Sequence, residues 1–170
     1  MADIDAFRNA MAMLAGAVNI ITTDGPSGLA GFTATAVCSV TDRPPTLLVC
    51  MNRSSYAHRF FQGNQVLCVN VIGTSSQAAP AIFADRNIPM PERFTRVGWE
   101  RLATGSPLID DAMASFDCCI TRINEVGSHS IFLCEVQDIR CGNAQEGLVY
   151  FNRTYHPVGQ AAMPSMAVKN

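Results

Sequence analysis

Short apolar runs separated by tight turns constrain the fold of this 170-residue chain most strongly. About six to eight runs have strand-like composition, and the residues between them are mostly Gly, Pro, Asp and Ser. The clearest pair, residues 113–126 and 129–141, meets at Gly127 and Ser128. Because the runs do not alternate with helical segments, the pattern predicts a mainly β, antiparallel barrel, closed or half-closed, with a few short helices.

Periodicity and turn residues predict the individual elements. Strands are predicted at 17–23, 29–37, 46–51, 66–72, 98–102, 107–109, 113–126, 129–141 and 148–152. Helices are predicted at 4–14 with Asp3 as cap, at 54–62 with Ser54 as cap, and from Ser75 or Ser76 to Ala84. The strand at 46–51 is apolar throughout, so we expect it to be covered on both faces or to line the barrel. Residues 85–96 carry two prolines and are expected to form a loop, and the tail after Val158 is expected to fray.

Composition excludes several classes of partner. The net charge is -2 and no basic run occurs, which argues against nucleic acid and anionic membranes. No apolar stretch approaches the roughly 20 residues that cross a bilayer, and no signal-like segment is present. Seven cysteines without a C-x-x-C pair favour reduced thiols and a cytoplasmic protein. With 48% hydrophobic and only 15% charged residues, the surface is expected to keep an apolar patch for a second copy or a planar ligand.

Common catalytic and nucleotide motifs are absent. The chain has no G-x-G-x-x-G, no G-x-x-x-x-G-K-[ST] and no G-x-S-x-G. His58, His129 and His156 lie far apart in the sequence, so no metal site is predicted. Asp110 and Asp111 are adjacent and would point to opposite faces of a strand. Acid–base catalysis by paired carboxylates is therefore not indicated.

The stretch from Gly31 to Ser55 carries the strongest functional signal. Its first half, with Thr33, Ala34, Thr35 and Ala36, leaves a strand face of little bulk. Such a face suits a flat heterocycle such as flavin, whose polar edge can be met by Thr hydroxyls and backbone N–H groups. A barrel strand with small residues under a closely packed helix would show the same composition.

The second half of the stretch indicates an anion site. Asn52, Ser54 and Ser55 stand where a helix is predicted to begin, and the N–H groups of a helix start favour a phosphate. The Arg53 side chain would add a positive charge. An ordinary helix start would show the same residues. Together the two halves place a ring site and a phosphate site on consecutive strand ends, as a flavin mononucleotide requires.

The combination of motifs resembles the short-chain flavin reductase family. Within it, the chain is most similar to the reductase component of two-component monooxygenases of the 4-hydroxyphenylacetate 3-monooxygenase type. The resemblance covers about residues 7–158 and rests on GFTATAVCSVTDRPPTLLVCMNRSS, FQGNQVLCVNV, AMAMLAGAVNIITT, ERF, GSH and YFNRTYHPV.

The resemblance implies a single FMN-binding split barrel, a Greek-key antiparallel fold, over residues 1–158, with 159–170 as a tail. It implies a homodimer that uses NADH, sometimes NADPH, to reduce FAD or FMN. The reduced flavin would then diffuse to a separate oxygenase.

The resemblance also assigns site residues. The isoalloxazine ring would contact Thr33, Ala34, Thr35 and Ala36. The ribityl chain and phosphate would be held by Cys50, Met51, Asn52, Ser54 and Ser55. The loop side would be closed by Phe83, Ala84 and Arg93. At the nicotinamide mouth would lie His129, as the candidate catalytic residue, with Arg153, Tyr155 and His156.

Less specific interpretations stand beside these assignments. His129 is also a typical solvated turn residue, and Tyr155 and His156 also fit an ordered end of the chain. His58 is expected at the surface, and Cys50 is interpreted as a small packing residue because no second cysteine lies at redox spacing.

Two other functions remain open from the sequence. One is a split-barrel protein that holds flavin without turnover. The other is a flavoenzyme on the same barrel that oxidises a pyridoxamine-type amine. The second needs more cationic groups than the 12 Lys and Arg residues comfortably supply.

Overall fold

The computed structural model describes residues 2–159 of the chain. Its helices are α1 (Ile4–Met11), α2 (His58–Asn64), α3 (Ala79–Ala84) and α4 (Met90–Thr95). Its strands are β1 (Gly16–Ala17), β2 (Asn19–Thr23), β3 (Ala30–Ala34), β4 (Val37–Asp42), β5 (Pro45–Asn52), β6 (Val66–Val71), β7 (Trp99–Arg101), β8 (Pro107–Ile109), β9 (Ala114–Val126), β10 (His129–Cys141), β11 (Gly147–Phe151) and β12 (Thr154–Val158).

Seven of the strands form one antiparallel sheet in the order β3-β2-β6-β9-β10-β5-β4. The two edge strands, β3 and β4, are joined only by Thr35 and Ala36. Three virtual Cα–Cα bonds reach at most about 11 Å, so the sheet has to curl until its edges meet. The predicted mainly β, antiparallel Greek-key barrel with short helices is thereby confirmed.

The two longest strands, β9 and β10, form the central hairpin of the barrel. His129 pairs with Val126 at the turn and Cys141 pairs with Ala114 at the far end, as the sequence predicts. On its other side β10 pairs with β5, from His129 opposite Asn52 to Glu135 opposite Thr46. This second pairing brings the turn of the hairpin to the end of β5.

Large apolar side chains pack against both faces of the sheet at β3. Phe61, Phe83, Phe132 and Ile20 are each at most 1% exposed. The Phe61 ring lies edge-on to Phe32, with ring centroids 5.3 Å apart. Such close packing fixes α2 and α3 against the sheet.

Of the two alternatives expected for β5, the strand lines the barrel and is not covered on both faces. Leu47, Val49 and Met51 are buried, whereas Leu48 and Cys50 are only half-buried. The strand therefore has one face in the core and one face at the surface of the chain.

Several predicted boundaries are wrong for local reasons. The strand expected at 29–37 breaks at Thr35 and Ala36, and the chain resumes as β4. The helix expected from Ser75 is a 3-10 turn at Thr74–Ser76 followed by α3. The expected loop 85–96 contains α4, because a proline at the first or second position of a helix is tolerated. A twelfth strand, β12, was not predicted.

Helix α1 begins as predicted and ends early. The Asp3 carboxylate accepts the Ala6 N–H at 2.7 Å, and the helix ends at Met11 rather than at Leu14. Gly16 instead belongs to β1, which pairs with β11 in a small sheet completed by β12. The expected frayed tail, apart from Gly159, lies outside the described residues, and the domain boundary at Val158 stays a prediction. In the described part of the chain, no helix is long and apolar enough to cross a membrane.

A buried amide holds strand β8 on the barrel. The Asn70 amide nitrogen donates to Ile20 O at 3.1 Å and to Thr22 Oγ1 at 3.2 Å. Its oxygen accepts the Ile109 N–H at 3.0 Å and the Ser115 hydroxyl at 2.9 Å. Asn70 is 0% exposed, so each of these partners would lack a bond if the amide were removed.

We expect Asn70→Ala to lower the free energy of unfolding by about 3 kcal/mol, because several buried polar groups lose their partner. Urea unfolding followed by circular dichroism measures the effect. The control is Asn143→Ala, at an exposed position, where the change should stay within about 0.5 kcal/mol. Equal stability of the two variants would show that the Asn70 network does not hold the barrel together.

Candidate functional site

One cleft of about 780 Å³ opens where the two edges of the barrel meet. Its walls come from β3 with the following bend, from the end of β5 with the following turn, and from the α3–α4 region. The predicted site residues that line it are Thr33, Ala34, Thr35, Ala36, Cys50, Met51, Asn52, Ser54, Ser55, Phe83, Ala84 and Arg93. The fold thus brings together residues 60 positions apart, and their contact with a flavin stays a prediction.

The bend between β3 and β4 forms the floor of the cleft. Thr35 and Ala36 are exposed there, outside either strand. The Val37 N–H donates to Thr35 O at 2.9 Å and the Cys50 N–H to Ala36 O at 3.0 Å. With small side chains and a fixed backbone, this floor can be approached closely by a flat molecule.

The Thr33 hydroxyl has a structural task. It donates to the Pro80 carbonyl of α3 at 2.6 Å and so ties the helix to the strand. Its proton is therefore not available to a ligand, although its oxygen can still accept a hydrogen bond. The predicted contact of Thr33 with the ring edge therefore stays a prediction in which the hydroxyl oxygen accepts.

The inner wall depends on the absence of a side chain at Gly31. A Cβ at this position would lie 2.8 Å from Phe83 Cε1, closer than packed atoms come. The Gly31 N–H faces the Met90 sulfur at 3.3 Å. Phe83 and Met90, both buried, can therefore press against the strand and form a continuous apolar wall.

The turn after β5 is shaped by Asn52. Its side-chain oxygen accepts the Ser54 N–H at 2.9 Å and the Ser54 hydroxyl at 2.8 Å, which is an Asx turn. The Ser55 N–H donates to Asn52 O at 3.1 Å. The predicted helix start at Ser54 is wrong, since α2 begins at His58 and is capped by Ala57 without a side-chain bond. The argument from a helix N-terminus therefore does not apply to this turn.

Arg53 does not face the cleft, contrary to the expectation from the sequence. Its guanidinium contacts Glu125 Oε2 at 2.5 Å and Gly127 O at 2.6 Å, and its N–H donates to Ser128 O at 3.0 Å. These contacts clamp the turn after β5 to the turn between β9 and β10. Arg53 is thus a bridge between two turns.

His129 lies next to the cleft without lining it. It is exposed, stands opposite Asn52 in the β5–β10 pairing, and its Nδ1 lies 2.8 Å from the Ser128 hydroxyl. Because Asn52 does line the cleft, the candidate catalytic histidine sits one strand away from its edge. Its role stays a prediction.

The three other residues predicted at the nicotinamide mouth also lie outside the lining. Arg153 donates to Asn9 Oδ1 at 2.6 Å. The Tyr155 ring lies 5.3 Å from that of Tyr150, and the His156 Nε2 lies 3.3 Å from Phe151 O. Their hairpin, β11–β12, belongs to the small sheet rather than to the barrel wall around the cleft.

His58 is buried, whereas the sequence analysis expects it at the surface. Its Nε2 lies 2.9 Å from the Ser130 hydroxyl, and its ring lies 5.7 Å from that of Phe132. Burial lowers the pKa of His58, with the Glu125 carboxylate opposing the shift. His58 therefore connects the start of α2 to β10, at the residue that pairs with Met51 near the end of β5.

Arg93 organises the loop that closes the cleft. Its three guanidinium nitrogens donate to Phe83 O at 2.8 Å, Asp85 O at 2.7 Å and Ile88 O at 3.0 Å. Burial lowers its pKa, with the Asp85 carboxylate opposing the shift. The fork of donors matches three carbonyls at once, which a lysine could not do.

Some lining residues are missed by the sequence analysis. Arg86, Ile88, Pro89, Met90 and Pro91 reach the cleft from the segment expected to be a featureless loop. The ERF motif was the signal that this segment is ordered, since its Arg93 holds the segment in place. Tyr56 at the end of the serine turn is also missed.

The chemistry of the cleft fits a planar molecule with an anionic tail. Two arginines, Arg86 and Arg93, are among the lining residues, and no Asp or Glu is. Cys50 contributes a thiol whose pKa is raised by burial, so it behaves as a neutral packing group, as expected from the sequence. Small residues on one side and Phe83 with Met90 on the other leave a slot between apolar surfaces.

We expect Arg93→Leu to lower the free energy of unfolding by about 3 kcal/mol, because three carbonyls of the loop lose their donor. Arg96→Leu, at the residue that follows α4, is the matched control, since its ion pair with Glu92 is exposed and contributes at most about 1 kcal/mol. Urea unfolding of both variants checks this. A loss no larger for Arg93→Leu than for Arg96→Leu would contradict the assignment.

Comparison with known proteins identifies relatives along nearly the whole chain. An FMN reductase (NADH) named RutF, from Pantoea ananatis, is 56% identical over 152 residues, which are 89% of this chain and 80% of that protein. The NADH:FAD oxidoreductase SgcE6 of Streptomyces globisporus, solved with NAD and FAD fragments, has a TM-score of 0.86 at 28% identity, covering 95% of this chain and 96% of that one. BorF, the flavin reductase component of a bacterial two-component tryptophan halogenase, has a TM-score of 0.86 at 29% identity, covering 94% of this chain and 100% of that one.

The family assignment follows from the same comparison. The sequence model of the flavin reductase like domain matches residues 11–159. These residues include the whole barrel and every residue of the cleft. The chain belongs to the flavin reductase like domain family.

Proposed function

We propose that this protein is an NADH-dependent flavin reductase that binds FMN in the cleft between β3, β5 and the α3–α4 loop. The observation that carries the proposal is the slot itself, with small residues as its floor, an apolar wall, two arginines and no carboxylate. A relative named as an FMN reductase (NADH) at 56% identity supports FMN and NADH as the substrates.

The reaction moves a hydride, with both electrons of the C4–H bond, from the nicotinamide to N5 of the flavin, and leaves NAD⁺. The residues at this cleft need to supply position rather than protons. Thr35 and Ala36 offer a bare backbone on which a ring can rest, and Phe83 with Met90 excludes water from the opposite side. N–H groups at this floor could meet the negative charge that develops near N1. His129, Arg153, Tyr155 and His156 are proposed for the nicotinamide side.

The choice between flavins follows from two relatives whose names give different flavin substrates. RutF of Pantoea ananatis is an FMN reductase, whereas SgcE6 acts on FAD. We propose FMN as the preferred flavin because the closer of these two relatives uses it, with FAD as a second substrate. NADPH is proposed as a poorer hydride donor than NADH.

The proposed product is free reduced flavin for a separate oxygenase. BorF, with the same fold, is the reductase component of a two-component system. A 4-hydroxyphenylacetate 3-monooxygenase type of partner is proposed from the sequence resemblance alone. A cytoplasmic location is proposed because all seven cysteines are free thiols, as in a reducing compartment.

A homodimer is proposed from the surface of α1. Ile4, Phe7, Met11 and Leu14 line one side of this helix and its following turn, and they are between 46% and 65% exposed. An apolar stripe of this kind is typical of an interface. Sedimentation equilibrium measures the state, and a monomer at micromolar concentration would refute the dimer.

We expect purified protein to oxidise NADH at 340 nm only when flavin is added, with FMN giving the highest kcat/KM among FMN, FAD and riboflavin. Replacing NADH by NADPH should lower the rate. If flavin binds and no NADH is consumed, the protein is a flavin-binding barrel without turnover. Absence of both binding and turnover would refute the proposed function.

The turn after β5 is tested by Ser54→Ala combined with Ser55→Ala. We expect the KM for FMN to rise several-fold to about tenfold, because the turn loses the Ser55 hydroxyl next to the proposed phosphate position and the Ser54–Asn52 hydrogen bond that shapes it. Ser39→Ala on the exposed face of β4 is the control, and its KM should stay unchanged. An unaltered KM in the double variant would contradict the phosphate assignment of this turn.

A further inference from the structure

We propose that Arg86 is the phosphate-binding cation of the cleft and the residue that makes the protein prefer phosphorylated flavins over riboflavin. The proposal rests on the proposed function, because it takes flavin binding in the cleft as its starting point. It replaces Arg53, which the sequence favours for this task and which the fold turns away.

The first support is elimination among the arginines near the cleft. Arg53 is bound to Glu125 and Gly127 O. Arg59 lies over the Tyr56 ring at 4.6 Å and over the Phe60 ring at 4.9 Å, and it does not line the cleft. Each of these guanidinium groups is therefore already occupied by another part of the chain.

Arg93 is also committed. It lines the cleft, but its three nitrogens each donate to a backbone carbonyl of the loop. Arg86 is exposed, lines the same cleft, and takes part in none of the ion pairs among residues 2–159. The nearest carboxylate along the chain, that of Asp85, lies outside the lining and accepts the Asn87 N–H at 2.8 Å.

The second support is the way in which the backbone presents Arg86. Two of the carbonyls that Arg93 holds, Asp85 O and Ile88 O, lie on either side of Arg86 in the chain. A short loop fixed at both flanks holds the backbone of Arg86 at the edge of the cleft. Such pre-organisation reduces the entropy lost when an anion binds.

The third support is the charge of the lining. With two arginines and no carboxylate on its walls, the cleft attracts an anion. The ribityl phosphate is the most highly charged part of FMN, and an arginine can bind two of its oxygens in parallel. The serine turn at 54–55 lines the cleft as well, and its neutral hydroxyl groups need a cation beside them to balance a dianion.

The experiment compares FMN with riboflavin, which carries the same ring without the phosphate. Dissociation constants are measured by flavin fluorescence quenching without NADH, so that turnover plays no part. For Arg86→Gln we expect the FMN dissociation constant to rise tenfold or more. The riboflavin constant should change less than about twofold, since a neutral ligand has no phosphate to lose. Arg86→Lys should keep part of the FMN preference because it keeps the charge.

Salt provides an independent readout. The FMN dissociation constant of the wild type should rise with sodium chloride, and that of Arg86→Gln should rise less, because a screened charge pair has been removed. Arg43→Gln, at an exposed position outside the cleft, is the control for net charge and should behave like the wild type.

Four outcomes would overturn the proposal. An equal loss for riboflavin and FMN would place Arg86 at the ring instead of at the phosphate. An unchanged FMN constant with a raised KM for NADH would place it at the nicotinamide nucleotide. If the wild type bound neither flavin, the proposed function itself would fail. If the wild type bound FMN and the Arg86→Gln variant bound it equally well, only the role of Arg86 would be refuted.

Discussion

The whole site depends on the way in which the barrel closes. Strands β3 and β4 lie at opposite ends of the seven-stranded sheet, yet only Thr35 and Ala36 separate them. This short connection forces the edges of the sheet together and leaves two exposed residues with a fixed backbone at the seam. The same bend therefore closes the fold and forms the floor of the cleft, so that stability and binding share one structural element.

Polar side chains around the cleft are used mainly to hold backbone in place. Asn52 shapes the turn after β5, Arg53 clamps that turn to the β9–β10 turn, and Arg93 holds the loop between α3 and α4. Each is anchored to main-chain groups of its own protein. In the proposed function, a cleft built in this way would position the flavin mostly through shape, backbone and a few free charges, which suits a reaction that moves a hydride and needs no acid–base pair.

Much of the fold could be predicted from local patterns. The β9–β10 hairpin has two long β-type runs around Gly127 and Ser128, so the pairing of these runs followed from the sequence, whereas the two register shifts within it did not. Errors arose where tertiary contacts override local signals. Ser54 has the residue type of a helix cap, but Asn52 captures its N–H and hydroxyl, and the helix starts at His58. Two prolines at 89 and 91 favoured a loop, yet they precede and open α4.

The sequence by itself determined the class of fold and two of the segments that form the cleft, because small residues, turns and apolar runs act locally and leave a readable pattern. It also carried the residues of the Gly31–Ser55 stretch, which the fold gathers around one cleft. Only the tertiary structure decided which charged groups remain free to meet a ligand. Arg53, Arg86 and Arg93 are equivalent cations in the sequence, and the folded chain separates them by their partners. Arg53 is paired with a carboxylate from a distant turn and Arg93 with carbonyls of its own loop, and a guanidinium paired in this way has few donors left to offer.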